Sequence, residues 1–144
     1  MITKEKGNIG EDIVLAEFTK RGIQCCLPFG DSARYDLIAE FNGKLNKIQI
    51  KYCGQITKHN SVECPCASST NHTTNKHYTT YENDVDYIAC YIVPLDKVIL
   101  IPIKEIGSQK SMTIRLSPPL NGQTKNIHIV DDFDLDTILK SDKD

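Results

Sequence analysis

Apolar and polar positions change rhythm along this chain: helical at the start, alternating over residues 35–52, polar over residues 55–80 and most apolar over residues 87–103. From Lys4 to Arg21, Ile13, Val14, Ala16 and Phe18 supply an apolar side, and Gly22 follows as a C-terminal stop, which predicts a helix. Gly7 and Gly10 lower helix propensity there and point to a backbone that must approach something closely. Ile23 to Phe29 reads as a strand, with Pro28 near its end.

Tyr35 to Phe41 and Lys44 to Tyr52 are two strand-like runs joined by Asn42-Gly43. Asn-Gly is the preferred two-residue type I′ hairpin turn, because both central positions need positive φ. With that turn Phe41 faces Lys44. Counting back along both strands sets Asp36 opposite Gln49 and Arg34 opposite Lys51. Side chains alternate along a strand, so Asp36, Gln49 and Lys51 share one face while Leu37, Ala39, Phe41, Ile48 and Ile50 occupy the other. Directly opposed residues hold their Cβ atoms roughly 4.5–5.5 Å apart, near enough for two oxygens to grip one cation. An acid, an amide oxygen and an ammonium thus meet on one side of a mostly apolar hairpin.

Gln55 to Thr80 is dense in Asn, Thr, Ser, His and Lys, with Ser61 to Cys64 as a possible strand. Such a stretch is long for an idle loop, which favours a binding role; disorder is the alternative. Regular structure returns with Asp86 to Val93 and Lys97 to Ile103, a strand pair turning at Pro94-Leu95-Asp96. Met112 to Leu116 and Asn126 to Val130 read as further strands, and Asp134 to Leu139 as a short closing helix.

At 144 residues the chain fits one domain, and 40% hydrophobic with 25% charged residues excludes a disordered or fibrous chain. The opening residues lack a signal-peptide core, and the most apolar stretch, Tyr87 to Ile103, is interrupted by Pro94-Leu95-Asp96-Lys97 and cannot span a bilayer; a cytoplasmic protein is expected. Net charge is −2, but residues 43–81 carry five lysines against Glu63, whereas residues 131–144 carry six aspartates against two lysines. Local field matters more for phosphate binding than the sum. Six cysteines in a chain without secretion signals read as reduced thiols, some buried as small hydrophobes. Cys64-Pro65-Cys66 near His59, His72 and His77 is a weaker zinc pattern, since structural zinc sites usually show two paired ligand sets.

Asp, a turn, then Gln-x-Lys on the next strand is the layout of PD-(D/E)XK nucleases. The chain resembles that superfamily in Tyr35-Asp36, in Gln49-Ile50-Lys51 and in a preceding helix bearing Gly7-Asn8-Ile9-Gly10-Glu11. It is similar in particular to the small intron-encoded homing endonucleases of cyanobacterial transfer-RNA introns, which show Gln-x-Lys where most relatives show Glu-x-Lys. The likeness extends through Asp84-Val85-Asp86-Tyr87 and Ile114-Arg115-Leu116. It implies an α/β (α+β) domain over residues 1–144, with a restriction-endonuclease-like mixed β-sheet flanked by helices and a polar DNA-contacting insertion at about 55–80. It also implies a metal-dependent endonuclease cutting double-stranded DNA at a long specific site, as a dimer or tetramer.

Chemistry agrees with that implication. Phosphodiester hydrolysis needs an activated water and neutralised phosphate charge; Mg2+ or Mn2+ supplies both and prefers oxygen ligands. Asp36, the Gln49 amide oxygen, the Ile50 carbonyl and Glu11 are the expected ligands, and Lys51 stabilises developing negative charge. Glu11 shares a helix side with Leu15 and Phe18, where a carboxylate is costly unless it meets a cation. Taken singly, Glu11, Asp36 or Lys51 reads equally as a surface charge. Arg34, Lys47, Lys58, His59, Asn60, Asn75, Lys76 and His77 are candidate DNA contacts, the cations for phosphates and the others for base edges. The alternatives are a Holliday-junction resolvase or phage-type nuclease of the same fold, and a nucleic-acid-binding module that does not cut.

Overall fold

The computed structural model describes residues 1–71, 76–123 and 125–141. Helix α1 spans Thr3–Lys20 and stops where Gly22 takes φ +74°, with the Arg21 and Gly22 amides bonding back to Phe18 and Thr19 carbonyls. Val14 and Phe18 are fully buried at i, i+4 spacing. Ala16 is exposed, against expectation: it lies two positions beyond Val14 and so on the opposite side of the helix. At Gly10 a Cβ would stand 3.5 Å from Ile50 Cγ2, so the helix backbone does rest on a strand there; at Gly7 nothing lies within 4 Å.

Strands β1 (Gln24–Cys26), β2 (Leu37–Phe41), β3 (Lys44–Cys53), β7 (Tyr87–Ile92) and β8 (Lys97–Pro102) form a five-stranded sheet in the order β1-β2-β3-β7-β8. β3 and β7 are parallel and the other neighbours antiparallel, so the sheet is mixed. The β2–β3 turn is as expected: Asn42 and Gly43 take φ 55° and 75°, and Phe41 pairs with Lys44. Asn46, buried among hydrophobes, donates to the Ala39, Phe41 and Lys44 carbonyls and pins that turn from inside. Leu37, Ala39, Phe41, Ile48 and Ile50 are all buried, and α1 packs over them, with Phe18 stacked on Phe41 at 6.1 Å between ring centres.

The polar segment forms the crossover that parallel β3 and β7 require. It holds β4 (Ser61–Pro65), paired antiparallel with β9 (Ser111–Arg115), and a hairpin of β5 (Ala67–Asn71) and β6 (Lys76–Thr80). Helices α2 (Ile103–Ile106) and α3 (Leu135–Ser141) lie beyond the strands of the five-stranded sheet in sequence, α3 tied to the end of α1 by Arg21 Nε to Asp136 Oδ1 at 2.7 Å. The strand expected over Ile23 to Phe29 is only three residues long. Pro28 has no N–H for a ladder, Gly30 turns the chain at φ +84°, and Phe29 is fully exposed. Asn126 to Val130 is not a strand: Asn126 takes φ 59°, the segment meets β9 only through a single parallel bridge from Ile129 to Arg115, and Val130–Phe133 closes into a 3-10 turn. All six cysteines are free thiols, four of them buried.

Candidate active site

The hairpin ladder ends at Leu37 opposite Ile48, and Asp36 begins where it stops. Its backbone N–H still reaches the Ile48 carbonyl (2.8 Å), while its carboxylate Oδ2 accepts the Ile50 N–H (2.8 Å). The side chain thus replaces a backbone acceptor, and Asp36 straddles Gln49 rather than facing it as a register partner. A hydrogen bond to an ionised oxygen is worth about twice a neutral one, so this contact fixes the carboxylate firmly.

Glu11 comes from α1 and brings its carboxyl beside that of Asp36. Desolvation by the neighbouring atoms, then the charge of Asp36, hold its carboxyl above the ordinary carboxylate range. Glu11 is exposed on the flank of the helix, not sunk in the apolar stripe as its spacing suggested. With Tyr35 and Asp36 it lines an open depression completed by Leu27, Pro28, Gly30, Asp31 and Ala33 of the β1–β2 loop. Two carboxylates brought together across an open depression repel each other, an arrangement that a hard divalent cation relieves. Asp31 is a third acid there, on a loop whose route carries no local signal.

Gln49 and Lys51 stand half-buried on β3, paired across to Ile88 and Cys90 of β7. Lys51 Nζ donates to the Tyr81 hydroxyl (3.1 Å) and lies 4.9 Å from the Tyr81 ring centre. Arg34 lies over the same ring at 4.3 Å, so the two cations meet through an aromatic and not as strand partners. Tyr81, nearly fully buried at the end of β6, was not singled out from the sequence. Its signal, an aromatic closing a polar stretch, is too common to be specific.

The expected DNA contacts are scattered more widely. Arg34 spends its donors within the chain, on Asp84, the Ser68 hydroxyl and the Thr79 and Thr80 carbonyls, and so clamps the β5–β6 hairpin to the core. Lys47 is exposed on β3, its backbone N–H held by the Asp86 carboxylate. Lys58, His59 and Asn60 are exposed on the turn before β4, where Asn60 takes φ 58° and donates to Ser117. Lys76 and His77 are exposed on β6, and Lys76 lies over Tyr78. Asn75, and with it His72, falls outside the described residues.

Among the described residues no helix is long and apolar enough to cross a membrane. A search of curated proteins gives no match. Among solved structures, a bacterial homing endonuclease, I-Ssp6803I, shares the fold with a TM-score of 0.76 at 22% identity, over 88% of this chain and 86% of that one. The model of the PD-(D/E)XK endonuclease family matches residues 1–136. That match takes in α1, the hairpin and the strands beyond it, and the chain therefore belongs to the PD-(D/E)XK endonuclease family.

Proposed function

We propose that this nuclease is a site-specific, divalent-metal-dependent endonuclease of double-stranded DNA, a homing enzyme that opens an allele for intron insertion. The meeting of the Glu11 and Asp36 carboxylates against the Ile50 amide carries the reading. The donor set fits a hard cation: Asp36 and Glu11 as carboxylates, Gln49 through its amide oxygen and Ile50 through its carbonyl, with Mg2+ or Mn2+ as occupant. A bound ion would neutralise phosphate charge and acidify an attacking water. Lys51, anchored by Tyr81, supplies positive charge beside the scissile phosphate, and Asp36, locked by its bond to β3, keeps the acidic pair aligned.

The chain works in this reading as one cytoplasmic endonuclease domain whose insertion at about 55–80 contacts DNA. Lys47, Lys58 and Lys76 take phosphates, His59, Asn60, Asn75 and His77 read base edges, and Arg34 acts mainly by holding the β5–β6 hairpin in place. Cutting two strands requires two active sites, so the protein acts as a homodimer or homotetramer. The similarity of fold to I-Ssp6803I, itself a homing endonuclease, supports the homing role.

Supercoiled plasmid carrying candidate targets, incubated with and without Mg2+, tests the reading directly. Metal-dependent nicking and linearisation is the expected result. Binding without cleavage in either Mg2+ or Mn2+ makes the protein a non-cutting module, and preferential cutting of four-way junctions over linear duplex makes it a resolvase. Light scattering of the complex reports the number of chains.

Two further outcomes follow from the assigned roles. Mg2+ should raise the melting temperature of the native protein, because a ligand bound only by the folded state stabilises it; the titration midpoint should move to higher Mg2+ in Glu11→Gln and in Gln49→Ala. Unchanged midpoints in both remove these residues from the metal site. Replacing Lys58 and Lys76 together by alanine should weaken DNA binding and reduce the slope of log K against log salt by about one to two. An unchanged slope places both lysines away from the phosphates.

A further inference from the structure

Three buried thiols converge beside the sheet face that carries Lys51. Cys53 ends β3, Cys90 lies within β7, and Cys64 comes from β4 of the separate two-stranded sheet. Their Sγ atoms all lie within 4.8 Å of one another, and Cys53 and Cys64 are 3.9 Å apart. Cys64 and Cys90 are wholly inaccessible and Cys53 nearly so. Among the described residues this is the one cluster of metal-ligating side chains of that tightness. Cys66, the partner of Cys64 in sequence, is turned away: its thiol donates to the Cys64 carbonyl at 3.2 Å.

From this geometry we infer that Cys53, Cys64 and Cys90 form a buried three-thiolate site for a soft, thiophilic cation. Sulfurs 2.3 Å from a common zinc-sized ion stand about 3.8–4.0 Å apart in tetrahedral or trigonal arrangement, the separation already present between Cys53 and Cys64. Thiolates select Zn2+ or Cu+ over Mg2+, so the site does not compete with the oxygen ligands around Asp36. Each thiol gives up its proton as the ion enters, leaving excess negative charge. The Lys51 ammonium, two residues before Cys53 on the same strand, offsets part of it. The ion would tie β4, and through it β9, to the five-stranded sheet. This inference stands apart from the nuclease reading.

Titration of the reduced full-length protein with Cd2+ tests it. Expected are a thiolate-to-metal ultraviolet absorption that saturates at one equivalent with the intensity of three thiolates, and proton release that rises in step. Cd2+ on carboxylates gives no such band, so failure here and failure of the oxygen site are told apart. Cys53→Ser and Cys64→Ser should each abolish the saturating band, whereas the double substitution Cys25→Ser/Cys26→Ser should leave it intact. Competition by Zn2+ or by Cu+ then identifies the charge class of the natural ion. Absence of the band in the wild-type protein overturns the inference without recourse to variants. Persistence of the band in both Cys53→Ser and Cys64→Ser overturns it too, as does a Cys53–Cys64 disulfide in the protein as isolated.

Discussion

Asp36→Ala should slow cleavage of duplex DNA by about 10³-fold or more, the several kcal/mol of charge stabilisation that a divalent ion contributes, while DNA affinity stays within a few-fold of the parent. The substitution removes a proposed metal ligand and also leaves the Ile50 N–H without its 2.8 Å acceptor. Asp36→Asn separates the two effects, since its amide oxygen still accepts from Ile50 but carries no charge. If charge is what matters, the two variants are equally inactive and only the alanine variant melts lower. Full activity in both variants, measured by single-turnover cleavage, takes Asp36 out of the chemistry and with it the reading of the acidic pair.

The largest stability effect should come from Phe18. It is fully buried at the end of α1, stacked on Phe41, which in turn packs against Tyr87 at 5.5 Å between ring centres. Phe18→Ala removes that bridge between helix and sheet and leaves a cavity, a change that costs about 3–5 kcal/mol in well-packed cores. Against a total of about 5–15 kcal/mol for a typical domain, this is a large share, and the melting temperature should fall by roughly 10–20 °C. Phe29→Ala is the matched control: Phe29 is fully exposed, and its loss should change stability by no more than about 0.5 kcal/mol. A loss near zero for Phe18→Ala in urea unfolding would mean that α1 is not docked on β2 and β3. Because α1 also carries Glu11, a loosened helix should raise the Mg2+ requirement as well.

Some of the site was legible because the signals that specify it are local. Asn42-Gly43 sets the turn within two residues, and alternation then places Leu37, Ala39, Phe41, Ile48 and Ile50 in the core. Where the ladder ends, that counting loses its force. Arg34 and Lys51 are not partners, and what brings them together is Tyr81, thirty residues beyond Lys51 in sequence. Glu11 reaches Asp36 only because α1 docks on β3 in one particular setting, which helical spacing leaves open. The cysteines show the same division. Sequence proximity drew attention to Cys64-Pro65-Cys66, whereas the structure groups Cys64 with Cys53 and Cys90 from two other strands.

By itself the sequence determined the elements whose hydrogen bonds close locally: α1 with its glycine stop, the β2–β3 hairpin and the β7–β8 pair. Tertiary structure alone decided the parallel pairing of β3 with β7, the two-stranded β4–β9 sheet, and hence which distant side chains surround Asp36, Lys51 and Cys53. The physical reason is that periodicity fixes the phase of an element but not its neighbour. A parallel pair must be closed through a long crossover, here residues 54–86, and only the packing of the whole core selects that path.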